Sequence, residues 1–177
     1  MHQHEKYRIA LLSAYALGLH AFESLFPTPI PWLRLGFANI VTLVTLMLYG
    51  MRAAFMVTLI RVTLASLLTG TFPGPAFILS LGGGILSTVS MGLIVSLTPR
   101  LFSPIGISII GAFFHNIAQL FFAYLLFIQR IEAILMITPV IVLAGTFTGL
   151  VNGVISDLLI KNLKKNGQTV QNVNEAS

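Results

Sequence analysis

His115, Asn116 and Gln119 fall within five residues of one another in the middle of a long apolar run. At helical spacing His115 and Gln119, four apart, share a face, while Asn116 points about 100° away. Such a trio can hydrogen-bond neighbouring helices together or floor a polar cavity. One imidazole with no second histidine or carboxylate at ligand spacing makes a poor metal site, so no metal is expected. Arg61 stands at the midpoint of another apolar run. A central arginine costs about 2.5–3.5 kcal/mol to insert into a bilayer, so its guanidinium must face the protein interior. There it either ties helices together or anchors an anionic ligand group. A third group collects His20, Glu23, Trp32, Arg34 and Asn39 around the proline-rich stretch Pro27–Pro31. Trp32 is most simply an interfacial anchor. Glu23 and Arg34 make either a rim ion pair of little worth or, with the proline loop as a lid, the mouth of an outward-facing pocket. Glu23, Arg34, Asn39, Arg61, His115, Asn116 and Gln119 are therefore the candidate substrate-binding residues.

What the sequence lacks narrows the chemistry further. It has a single aspartate, Asp157, no cysteine, and no lysine between Lys6 and Lys161. Disulfides, thiolate catalysis and cysteine-ligated metals are excluded. Chain-elongating prenyl diphosphate synthases need two aspartate-rich motifs to hold magnesium-bound diphosphate, and one aspartate cannot build either. A nucleotide-binding P-loop needs a Gly-Lys-Ser/Thr ending, and Gly82-Gly83-Gly84 is not followed by one. His20 and Glu23 are the only close His–carboxylate pair in the apolar body, and no nucleophile accompanies them. No catalytic residue and no cofactor are expected.

The elements that must position these residues are membrane helices. Hydrophobic residues make up 56% of the 177 and charged residues 8%, with a mean hydropathy of +0.92. Only eight charged residues lie between Ile9 and Ile160, too few to cover a water-soluble surface of this size. Six apolar segments, 9–26, 32–49, 53–69, 75–98, 104–128 and 133–160, are each near the ~20 residues that cross a bilayer. Prolines at 27, 29 and 31, a tight Gly50-Met51-Arg52 turn, the Thr69–Pro75 stretch, Thr98-Pro99-Arg100 and Gln129–Glu132 separate them. The first segment is too long for a signal-peptide core and reads as the first span. An even number of spans puts both termini on one side. That side carries Lys6, Arg8, Arg52, Arg100, Lys161, Lys164 and Lys165, and the other only Arg34 and Arg130. The positive-inside rule therefore predicts cytoplasmic termini. The expected fold is an all-α, compact six-helix membrane domain over 1–160, with a polar, disordered tail over 161–177. The net charge of +5 reads as membrane orientation and lipid headgroup contact, not nucleic-acid binding.

Three segments carry small residues every four positions. They are Ala10, Ala14 and Gly18; then Ser80, Gly84, Thr88, Gly92 and Ser96; then Gly145, Gly149 and Gly153. This spacing lets helix backbones approach closely. For the last two sets packing within the bundle is the plainer reading. A terminal helix can equally show its small face to another membrane subunit, which makes Ala10, Ala14 and Gly18 candidate partner-docking residues. Asp157 and Lys161, four apart, read as an ordinary helix pair.

Several blocks together resemble a known bacterial membrane family. They are Glu23-Ser24-Leu25-Phe26-Pro27 with Pro29 and Pro31, Leu35–Ile40, Arg61 with Leu67–Thr71, and Gly111–Gln119. Over roughly residues 8–160 the sequence is similar to the Gx transporter family, also described as heptaprenyl diphosphate synthase component I. Phe37 stands where many relatives carry a smaller aliphatic. That family is similar in size and layout to the substrate-binding S components of energy-coupling factor (ECF) importers. The resemblance implies a multi-pass protein of the bacterial cytoplasmic membrane that captures a small micronutrient from outside. It would then dock on a transmembrane coupling subunit driven by cytoplasmic ATPases. The Ala-x-x-x-Ala face of the first helix in those proteins matches Ala10–Ala14 here. A flavin is the favoured cargo by this analogy, with a quinone or isoprenoid precursor as the other option. Two further readings stay open: a non-catalytic membrane partner of a soluble prenyl diphosphate synthase subunit, and a stand-alone carrier coupling protons through Glu23 or His115.

Overall fold

The computed structural model describes the backbone over residues 3–23, 38–98 and 101–175, and side chains over 7, 9–19, 39–98 and 101–165. Described residues form helices joined by short turns, with no strand among them. The helices are α1 (Gln3–Glu23), α2 (Ala38–Leu68), α3 (Pro75–Leu97), α4 (Pro104–Ala123) and α5 (Ile131–Glu175). Apolar runs in lipid must bond their backbone internally, and helices do so segment by segment.

α2 is a folded hairpin. As a straight rod its 31 residues would measure ~47 Å, far longer than the ~30 Å hydrocarbon core. Gly50 breaks it with φ 83° and ψ 179°, a backbone conformation that side chains with a Cβ avoid. Beyond it the chain returns. Thr42 and Thr58, which would stand ~24 Å apart on a straight helix, share a hydrogen bond at 3.3 Å. Arg61 reaches Asn39, 22 positions away, at 3.4 Å. Arms 38–49 and 51–68 are thus antiparallel about Gly50, as the Gly50-Met51-Arg52 turn predicts.

The other ends are chemically defined. α3 and α4 each begin with a proline in the first turn, where a missing N–H costs nothing. The Gly106 N–H donates to Ser103 Oγ at 3.4 Å, capping α4. α4 runs into a π-helical turn, Tyr124–Ile128, closed by Gln129 in the left-handed region, whose N–H donates to the Tyr124 carbonyl. α5 contains Pro139 and stays helical beyond Lys161 into the polar tail.

Among the described residues, four stretches are long and apolar enough to cross a membrane: Asn39–Leu68, Pro75–Leu97, Pro104–Ile128 and Ile131–Lys165. Ile9–Leu19 is a shorter apolar helix. α5 makes the case for lipid most plainly. Only 22% of its most apolar window is buried, and Leu135, Met136, Leu143 and Phe147 are all more than 60% exposed. Such a continuous apolar face would be an aggregation surface in water and is ordinary in lipid.

The core alternates between two ends. Leu46 and Ala54 beside Gly50 pack with Met91 and Ile107, with Ile94 and Val95 against them. Ile160 joins Ile40 and Val44. Leu120, Ile134 and Ile141 form a cluster where α4 meets α5 through Gln129. α1 lays Ile9 and Ala16 on Val41, Ala53 and Val57 of both α2 arms.

The small-residue seams of α3 and α5 lie inside the bundle. Gly145, Gly149 and Gly153 are buried. A Cβ on Gly153 would come within 2.6 Å of Ile105 Cα, and one on Gly149 within 2.9 Å of Ala112 Cβ. On α3, a Cβ on Gly84 would meet Thr58 at 3.0 Å, and one on Gly92 would collide with Met51. Ser96, the last of that series, is exposed.

Candidate functional site

Asn39, Arg61 and His115 come together where α3 passes between α2 and α4. Arg61 is buried, 5% exposed, and its Nη2 donates to Asn39 Oδ1 across the hairpin. The next turn is held by threonines. Thr42 bonds Thr58, Thr58 bonds Thr88 at 3.0 Å, and Thr88 Oγ1 donates to the Gly84 carbonyl at 2.8 Å. Three helical segments are joined by one buried hydroxyl chain. In lipid, hydrogen bonds of this kind average about 0.6 kcal/mol each and reach about 1.7.

Consecutive glycines let α3 pass so closely. A Cβ on Gly84 would lie 3.7 Å from Arg61 Nη2, and one on Gly83 would lie 2.8 Å from the His115 ring. Arg61 and His115 therefore flank one turn of α3. Asn116 faces the other way. Its Nδ2 donates to the Ile141 carbonyl of α5 at 3.2 Å, and its carboxamide lies against Gly145, where a Cβ would collide with it. Asn116 thus makes an interhelical tie. His115 Nδ1, Gln119 Oε1 and Ser87 Oγ are buried without a hydrogen-bond partner among the described residues. Buried polar atoms of this kind are satisfied by water or ligand in most proteins.

The structure brings Asn39 to Arg61 and sets His115 against α3. It sends Asn116 to α5. The side chains of His20, Glu23, Trp32 and Arg34, with the Pro27–Pro31 loop, lie outside the described residues. Ala10, Ala14 and Gly18 are exposed on α1, and a Cβ on Gly18 would meet nothing within 4 Å. Asp157 and Lys161 pair at 2.6 Å, as their spacing predicts. No cluster of three His, Asp or Glu that could hold a metal ion exists among the described residues.

Two features escaped the sequence reading. The threonine chain is one, although hydroxyls at 42, 58 and 88 inside apolar runs were its visible signal. The other is an apolar groove of about 470 Å³ walled by α1, the first arm of α2 and α5. Its walls come from opposite ends of the chain, and no local pattern marks it.

Long apolar helices around an interior polar seam define a multi-pass helical membrane protein. The family model described as heptaprenyl diphosphate synthase component I matches residues 12–159. The chain belongs to that family. No curated protein and no solved structure matches it.

Proposed function

We propose that this protein is a non-catalytic membrane subunit that anchors or regulates a soluble prenyl diphosphate synthase. The family match over residues 12–159 carries this reading. It also moves the weight away from the importer role that the S-component resemblance put first. Supporting it is the chain's inability to hold a magnesium–diphosphate complex alone, which leaves catalysis to a partner. In this reading the chain crosses the bacterial cytoplasmic membrane six times with both termini inside, α1 and each arm of α2 counting as one span. The tail over 161–177 and the basic end of the bundle then face a soluble partner. Because the chain has no cysteine, single-cysteine labelling gives a clean topology test. Ser103→Cys should react from the cytoplasmic side and Thr71→Cys from outside, and labelling of both from one side contradicts the arrangement. The function is tested by co-purifying the chain with its cognate soluble synthase and comparing product length with and without it.

A second reading, substrate capture for an ECF-type importer, draws on the uncovered Ala10, Ala14 and Gly18 face. It draws also on the buried His115 Nδ1 and Gln119 Oε1, which have no hydrogen-bond partner among the described residues. A small ligand would then enter from outside, past Glu23 and Arg34, and a flavin remains the favoured cargo. Absorbance and mass spectra of the purified protein test it, and a preparation free of any bound small molecule, with no uptake when a coupling module is supplied, contradicts it.

A further inference from the structure

α3 and α4 meet along a line that carries polar atoms in successive turns. Ser87 Oγ lies 3.1 Å from where a Cβ on Gly111 would stand, and His115 Nδ1 lies 2.9 Å from one on Gly83. The pairs 87/111 and 83/115 set one antiparallel register, which continues to Leu79 and Gln119 a turn further on. Ser87 Oγ, His115 Nδ1 and Gln119 Oε1 are buried with no hydrogen-bond partner among the described residues, and the three residues are 1%, 8% and 3% exposed. The other face of α3 is different. Thr88, at the depth of Ser87, bonds both Thr58 and the Gly84 carbonyl.

An unmade hydrogen bond at hydrocarbon depth is costly, so these atoms need a partner small enough for closely packed helices. Residues four apart on a helix stand ~6 Å apart along its axis. Two hydrogen bonds of ~2.8–3.0 Å laid end to end cover that distance, with one water between them. Water both donates and accepts, so it serves a carboxamide oxygen, a hydroxyl and an imidazole nitrogen alike. A way in lies at the Thr69–Pro75 turn. A cavity of about 10 Å³ there has Ser66, Thr69, Thr71 and Ser80 among its walls, close to the ~10–15 Å³ that admits one water. Thr69 is exposed, and Ser80 directly follows Leu79, the residue in register with Gln119. At the other end the line stops. One turn beyond Ser87, Met91 sits in the apolar cluster with Leu46 and Ile107.

We propose that the α3–α4 contact is a water inlet, filled from the Thr69–Pro75 turn through Ser80 and leading by single waters past Gln119 and His115 to Ser87. It carries solvent to mid-membrane and ends there, closed by the apolar cluster around Met91. The inlet goes beyond both functional readings and stands under either.

The chain has no cysteine, so single cysteines in the full chain read the inlet directly. A thiol must ionise to react with a small charged thiosulfonate, and it does so only where water reaches it. In proteoliposomes, Ser80→Cys and Ser87→Cys should react roughly tenfold or more faster than Thr88→Cys. They should do so from the side on which Thr71→Cys reacts. Adding His115→Phe should slow Ser87→Cys by roughly tenfold and leave Ser80→Cys unchanged. A Ser87→Cys rate no faster than that of Thr88→Cys, or labelling from the opposite side, would overturn the proposal. The unsubstituted chain gives a second reading that depends on no variant's folding. In water-edited solid-state NMR of nitrogen-15 histidine-labelled protein in lipid, the His115 ring should receive magnetisation from water, and a His115 ring that receives none would overturn the proposal as well.

Discussion

α1 and α5 carry the same sequence device and use it in opposite ways. Gly145, Gly149 and Gly153 of α5 are buried, and α4 comes so near that a Cβ on Gly153 would meet the backbone of Ile105 at 2.6 Å. Ala10, Ala14 and Gly18 of α1 are exposed, with open space at Gly18. α1 buries Ile9, Ser13 and Ala16 instead. A spacing of four therefore fixes a helix face and says nothing of what covers it. On α5 the small face holds the bundle together. On α1 it stays available to something outside the chain.

The largest effects should fall on the α5 side. Gly153→Leu pushes a side chain into the Ile105 backbone and should cost about 1–3 kcal/mol or more, read as loss of folded protein in detergent unfolding. Gly18→Leu, by contrast, should cost nothing and can stabilise by up to about 1 kcal/mol, since it removes a helix glycine at an open position. If the two variants unfold alike, the contrast between the helices is wrong. Asn116→Ala removes the tie from α4 to the Ile141 carbonyl and should cost about 0.6–1.7 kcal/mol, and Thr58→Val, which breaks the middle of the hydroxyl chain, a similar amount. Gly18→Ala, free of steric contact, should stabilise α1 by about 0.5–1 kcal/mol. Ala10→Leu and Ala14→Leu should likewise leave folding intact. Under the importer reading they abolish transport and spare ligand binding, and loss of folding in either would show that the α1 face is internal after all.

Among the described residues, most helix starts and turns were legible because they are local, while α5 runs on to Glu175 through a tail that composition reads as disordered. Apolar runs, prolines at first-turn positions and the Gly50 turn each act within a few residues, and the hairpin of α2 follows from the length limit alone. The faces of His115, Gln119 and Asn116 were legible from helical geometry. The partners were not. Arg61 finds Asn39 at a separation of 22 residues, and Thr58 finds Thr88 at 30. Gly83 and Gly84 serve as the close approach that seats His115 and Arg61. The groove is further still from local pattern, since Leu11 and Leu163 line it from nearly opposite ends of the sequence.

The second functional reading alone draws on the interior seam. Arg61 and His115 are buried there, and Asn39 meets Arg61 from the first arm of α2. The most direct measurement expresses the tagged chain with its cognate soluble prenyl diphosphate synthase, purifies the membrane fraction, and determines product chain length with the chain present and absent. The account predicts co-elution at a fixed ratio and a shift in product length when the chain is removed. A synthase that stays in the soluble fraction, with products unchanged, would contradict it.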